Sequence, residues 1–149
     1  MLVEIYVSVT FTTMSDVMKR FIDNDRFAEA IGVEITDYGA GTAKARLELT
    51  EKHLNSAGTA HGGLIFSLAD AVFSVASNSH GTLAMAINVS ISFFKAVREG
   101  VLTAEGREIS FNPRLATYLI EVRDESGELV AAFQGTVYRK RDRLEDLLQ

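Results

Sequence analysis

Leu64-Ile65-Phe66-Ser67-Leu68-Ala69-Asp70-Ala71-Val72-Phe73-Ser74-Val75-Ala76 is the stretch that decides the fold. Ten of its thirteen positions are apolar, and they show no period of two. The run is also longer than a usual strand, so it predicts a helix. A helix apolar on nearly every side belongs inside a core. Its three polar residues, Ser67, Asp70 and Ser74, are spaced i, i+3 and i+7 and share one narrow stripe. An ionised carboxylate there costs several kcal/mol unless something compensates it. Asp70 must therefore cap something, pair with something, or line a cleft.

Outward from this helix the chain is patterned for a sheet. Upstream, Ala43, Ala45, Leu47 and Leu49 alternate with Lys44, Arg46, Glu48 and Thr50, as in an antiparallel strand with one wet face. Val33 to Tyr38 precedes it across a Gly39–Gly41 turn. Before that, Val17, Phe21, Phe27 and Ile31 predict either one helix broken at Asn24-Asp25 or two short ones, with Ser15 as N-cap and Gly32 as stop. Downstream of an Asn78–Gly81 breaker, Leu83 to Phe93, Val101 to Phe111, Ala116 to Asp124 and Leu129 to Lys140 predict four strands in meander order. Asp124-Glu125-Ser126-Gly127 turns the last hairpin. Residues 1–13 alternate and predict an extra N-terminal strand ahead of a single domain spanning 14–149. The charged end predicts a frayed helix. The expected class is α+β, an antiparallel sheet around one long central helix.

Composition removes several function classes. The 149 residues carry 15 Lys and Arg against 20 Asp and Glu, a net charge of −5. A broad nucleic-acid surface needs dense positive charge, so no nucleic-acid partner is expected. The longest stretch without a charged residue, Ala71 to Phe94, is too polar to span a membrane. The absence of cysteine excludes disulfides, thiolate metal sites and a cysteine nucleophile, and fits a reducing cytoplasm. His53, His61 and His80 lack the i, i+4 spacing of a zinc helix, so no metal is expected. His53 and His80 are expected as surface or loop residues.

The loop ahead of the helix reads Leu54-Asn55-Ser56-Ala57-Gly58-Thr59-Ala60-His61-Gly62-Gly63. Two glycines at a helix start let another group approach the backbone. The unpaired N–H groups of a first helical turn, aided by the helix dipole, suit an anion such as the oxyanion of an attacked carbonyl. Gly63 and Asp70 are seven residues apart and nearly share a helical face. A carboxylate beside an oxyanion-binding helix end suits acyl hydrolysis, with Asp as base or nucleophile. A Ser-His-Asp triad is disfavoured, because no Gly-x-Ser-x-Gly elbow exists.

Asn55, His61-Gly62-Gly63 and Leu64 to Asp70 resemble the hotdog-fold acyl-CoA thioesterases, in particular the phenylacetate-degradation (PaaI-type) branch. Ser90 to Lys95 is similar to that family's central strand. Gly127 to Ala131 with Gly135-Thr136 is similar to its last hairpin, so the likeness covers about residues 15–140. It implies hydrolysis of acyl-CoA thioesters, with aryl-CoA among the candidate substrates, and no cofactor beyond the CoA of the substrate. It assigns Asp70 the role of nucleophile or general base, and the Gly62 N–H that of oxyanion donor. Asn55 would orient water or the carboxylate, and His61 would support the loop. Gly63, Ser74 and Arg114 would contact substrate, with Ser74 near the acyl group. Phe66, Phe73, Met85 and Phe93 are candidates for the acyl pocket, and Lys95, Arg98, Arg107, Arg139 and Lys140 for CoA phosphates. The resemblance further implies a homodimer whose sites combine Asp70 of one subunit with the His-Gly loop of the other, and dimers assembling into a homotetramer. Two features depart from the family pattern: the added segment 1–13, and Ala86 where some relatives place a polar side chain. The alternatives are a hotdog hydroxyacyl-thioester dehydratase, whose Pro-Gly entrance is absent here, and a non-catalytic acyl-CoA-binding protein.

Overall fold

A computed structural model of the chain describes residues 14–148, so the strand expected over 1–13 lies outside the described residues. Two short helices, α1 (Met14–Asp23) and α2 (Arg26–Ile31), precede strands β1 (Glu34–Gly39) and β2 (Thr42–Glu48). A single 3-10 turn, Glu51–His53, and a loop lead into the long helix α3 (Gly62–Asn78). Then come β3 (Thr82–Phe93), β4 (Val101–Phe111), β5 (Leu115–Arg123), β6 (Leu129–Arg143) and a last helical turn, α4 (Leu144–Leu147). Asn24-Asp25 does interrupt the first helix. The Asp25 carboxylate accepts the Ala28 N–H at 2.9 Å, which lets α2 restart there. Ser15 is not the cap of α1, which already begins at Met14.

The strands form one antiparallel sheet in the order β1-β2-β4-β5-β6-β3. That corrects the expected meander. Of the four later strands only β4, β5 and β6 neighbour one another in sequence order, while β3 lies beyond β6 at the edge of the sheet among the described residues. The physical reason is α3. The helix covers the middle of the sheet, so the chain leaves β2 on one side of it and returns on the other, and the later meander fills the gap. Leu68, Ala69, Val72, Phe73 and Ala76 of α3 pack on Ala45, Leu47, Leu102, Ala104, Tyr118, Ile120 and Phe133 of the sheet. Along β2 the buried residues alternate as expected, with Ala43, Ala45 and Leu47 inside and Lys44 and Arg46 in solvent. This is the α+β hotdog architecture.

The ring of Phe73 lies 5.8 Å from Tyr118 and 5.5 Å from Phe133, centroid to centroid, so Phe73 belongs to the core and not to an acyl pocket. Sheet and helix come so close there that a side chain will not fit between them. A Cβ on Gly135 would lie 2.6 Å from the Phe73 ring, and one on Gly106 would lie 2.7 Å from Val72. Asn78 is the buried last residue of α3 and ties it to β3. Its Nδ2 donates to the Ala84 carbonyl at 3.2 Å and its Oδ1 accepts the Ala84 N–H at 2.9 Å.

His80 lies in the turn after α3, a loop position as expected, and its Nε2 is 2.8 Å from Glu108 Oε2, which also accepts the Tyr118 hydroxyl at 2.5 Å. Burial, reinforced by that bond, pushes the Tyr118 hydroxyl pKa up. At the chain end, β6 runs on to Arg143 because it pairs with β3 from Thr82, and the buried Leu144 then anchors α4. No described helix is long and apolar enough to cross a membrane.

Replacing Gly135 by Ala is expected to cost about 1–3 kcal/mol in denaturant-induced unfolding, as overpacking does. Adding Phe73→Leu should recover part of that loss through coupling between neighbours. Losses that simply add would show that the Phe73 ring is not the obstacle.

Candidate active site

The loop between β2 and α3 is braced from within and from outside. Asn55 Oδ1 accepts the N–H groups of Ala57 at 2.9 Å and Thr59 at 3.2 Å, while its Nδ2 donates to Thr59 Oγ1 at 2.9 Å. One Nδ2 hydrogen is left without a partner among the described residues. Arg98 donates to the carbonyls of Ala57 and Gly58, both at 3.2 Å, and the Ala60 N–H donates to the Val97 carbonyl at 2.7 Å. Arg98 thus holds this loop.

His61 is the N-cap of α3, and its Nδ1 accepts the Gly63 N–H at 2.9 Å. Gly63 is therefore engaged within the cap. The neighbouring Gly62 N–H has no acceptor among the described residues and lies at the positive end of a 17-residue helix. A Cβ on Gly62 would lie 3.4 Å from the Phe93 ring. The open donor consequently sits against the end of β3, at the edge of the sheet.

Asp70 stands two turns further along, half-buried. No hydrogen bond or ion pair among the described residues compensates its charge. Burial first, and the negative charge of Asp25 second, push its pKa up. Two cavities flank α3 on the stripe that carries it. One of about 200 Å³ is lined by His61, Gly63 and Ser67, together with Phe27 and His53. The other, of about 480 Å³, is lined by Ala71, Ser74 and Val75, with Phe21, Ile22 and Asp25 closing it from the α1–α2 side. Asp70 lies between these two sets along the helix, with Ser74 one turn away, about 5–6 Å between Cβ atoms at that spacing. Ser67 is turned back on the helix, its Oγ donating to the Gly63 carbonyl at 2.6 Å.

Other expected residues lie elsewhere. Arg114 is exposed in the β4–β5 turn, where its guanidinium reaches the Tyr138 hydroxyl at 3.3 Å. Tyr138 pairs with Met85, eight residues along β3 from Phe93. At a strand rise of about 3.3 Å, that places Arg114 on the order of 25 Å from the Gly62 turn of its own chain. Lys95 pairs with Asp124 at 2.6 Å and with Glu128. Met85 is exposed on the edge strand, and Phe66 leans on Phe133 at 5.5 Å. Among the described residues, no group of three or more His, Asp or Glu side chains is placed to hold a metal ion.

Sequence reasoning misses the roles of five residues. Asp25, Phe21 and Ile22 build the larger cavity from segments whose faces the sequence leaves irregular. Arg98 carries no local signal of its long-range bonds. His53 is buried at 6% exposure, with its Nδ1 accepting the Thr50 N–H at 3.0 Å. A Thr three residues before a side-chain acceptor resembles a capping box, and that spacing is the available signal.

A carboxylate without a partner among the described residues and an open, positively polarised N–H are the two kinds of group that attack on a carbonyl needs, and along α3 of one chain they lie about 12 Å apart. Comparison with known proteins agrees. The thioesterase superfamily model matches residues 57–131. A putative esterase of Archaeoglobus fulgidus is 47% identical over 117 residues, which are 78% of this chain and 76% of that one. The acyl-coenzyme A thioesterase PaaI of Escherichia coli is 34% identical over 118 residues, covering 78% of this chain and 84% of that protein. A mutant of the phenylacetic acid degradation protein PaaI from Thermus thermophilus superposes with a TM-score of 0.75 at 38% identity, over 78% of this chain and all of its own. The chain belongs to the thioesterase superfamily, in its PaaI-type branch. It is a thioester-hydrolase enzyme.

The raised pKa has a consequence for stability. Because the folded value lies above the unfolded one, ionising Asp70 weakens the fold. That cost is absent below the unfolded pKa, grows between the two values and is complete above the folded one. Asp70→Asn should therefore raise the melting temperature at neutral pH, and the gain should vanish below about pH 3.9, where a free Asp is protonated. A variant less stable than the wild type at neutral pH would mean that the carboxylate has a partner in the fold.

Proposed function

We propose that this protein hydrolyses acyl-CoA thioesters, with aryl-CoA among the candidates, to the free acid and CoA in the cytoplasm. The observation that carries this reading is the half-buried Asp70 carboxylate, without a partner among the described residues, on the helix whose Gly62 N–H is open. Asp70 acts in one of two ways. As general base it takes a proton from water, whose oxygen attacks the thioester carbon. As nucleophile it attacks that carbon itself, giving an anhydride that water then cleaves. Either way the carbonyl oxygen becomes an oxyanion facing the Gly62 N–H, the C–S bond breaks, and CoA leaves as a thiolate that takes up a proton. The His61 cap holds Gly63 and so fixes the turn, and the remaining Asn55 Nδ2 hydrogen is the group that orients water. Ser74 and the cavity of about 480 Å³ take the acyl group, the apolar walls coming from Phe21, Ile22, Ala71 and Val75. Arg114 serves the distant phosphates of CoA.

A second copy of the chain completes the site in this reading. The edge strand β3 is twelve residues long, and Met85, Ile87 and Phe93 on it are 50%, 60% and 50% exposed. A long apolar edge is a template for another strand. The Gly62 turn lies against that edge, so pairing there brings the His-Gly loop of one subunit to Asp70 of the other. Such dimers associate into tetramers.

A panel of aryl- and acyl-CoA thioesters tests the activity. Asp70→Asn should lower kcat by about 10²–10⁴-fold, the range for a positioned acid–base group. Equal rates would remove Asp70 from the mechanism, and CoA-ligand binding without any turnover would indicate a binding protein. For the shared site, inactive Asp70→Asn and Asn55→Ala chains, mixed under conditions of demonstrated exchange, should regain activity. Hybrids that stay dead would contradict it.

A further inference from the structure

Resting on the proposed role of Gly62, we propose that His53 is a positioning residue for the oxyanion-donating turn. Its ring and its backbone together brace the loop from Thr50 to Gly62. The ring Nδ1 accepts the Thr50 N–H at 3.0 Å, which fixes the neutral tautomer with its proton on Nε2. The carbonyl of the same residue accepts the His61 N–H at 2.9 Å. His53 thus bonds at one end to the residue that opens the loop, and at the other to the cap immediately before Gly62.

The rest of its environment supports a purpose beyond packing. His53 is 6% exposed, and its buried Nε2 has no hydrogen-bond partner among the described residues. A buried donor left unmet costs about 1–3 kcal/mol, so an apolar side chain of similar size would suit the site better if filling space were the only requirement. Only the Nδ1 acceptor distinguishes histidine from such a residue here. His53 also lines the cavity shared with His61, Gly63, Leu64 and Ser67 at the start of α3. A misplacement of the oxyanion donor by about 1 Å can cost roughly a hundredfold in rate without any lost substrate contact.

The variants separate the two ring nitrogens. His53→Leu keeps the bulk and removes both, His53→Asn keeps an acceptor near Nδ1, and His53→Gln keeps a donor near Nε2. His53→Leu should lower kcat by about tenfold to a hundredfold with KM nearly unchanged and with little loss of melting temperature. His53→Asn should restore most of kcat, and His53→Gln should not. Amide hydrogen exchange needs no substrate and is read in parallel. In the Leu variant it should quicken across residues 51–63 and stay as in wild type across 82–93. Unchanged kcat and unchanged exchange in the Leu variant would overturn the proposal, as would recovery with Gln rather than Asn. A wild type that turns over no thioester would instead count against the proposed hydrolysis, while the exchange result would still decide whether His53 braces the loop.

Discussion

Everything in the proposed site depends on the desolvation of one carboxylate. Asp70 is carried by a helix whose other faces are packed into a sheet, and nothing among the described residues neutralises it. Burial and the nearby Asp25 both favour the protonated form, which makes the ionised form a stronger base than an exposed aspartate. A fold selected for stability alone would place an apolar residue there. The helix stays inside because its apolar area far outweighs one charge, and Ser67 and Ser74, on either side of Asp70 along the stripe, line the two cavities.

The other half of the chemistry is backbone geometry, and the fold fixes it by ordinary means. The N-terminus of α3 provides a polarised N–H, and His61 engages the Gly63 N–H while the Gly62 N–H stays open. Asn55, Arg98 and His53 hold the loop in front of it through bonds to Thr59, Gly58 and Thr50. Gly62 sits against Phe93 on an edge strand, so this open donor lies where a second chain would add a strand. Site and proposed assembly are thus linked through the same few residues.

Much of this is legible in the sequence, for identifiable reasons. The central helix shows itself by length and by the lack of a period of two, and β2 by strict alternation. Asp70 stands out because a charge in an apolar run has few explanations. The sheet order is not legible, because alternation shows that a strand has an inner face and says nothing of its neighbour. That is why the pattern predicts β3 inside a meander while the fold has it at the edge. The burial of His53 escapes a sequence reading since a lone histidine carries no sign of it, and Glu108 becomes the partner of His80 only through the fold. The large cavity escapes it for a related reason: α1 and α2 are short and irregular, and only their docking on α3 creates it.

The central claim is that Asp70 is the ionising group on which turnover depends, and carboxyl 13C NMR titration of Asp70 beside the pH profile of kcat/KM tests it most directly. The account predicts that Asp70 titrates above the ordinary aspartate value of about 3.9, and that the acid limb of kcat/KM has the same midpoint. An Asp70 that titrates at or below that value, or an acid limb that ignores its midpoint, would contradict it.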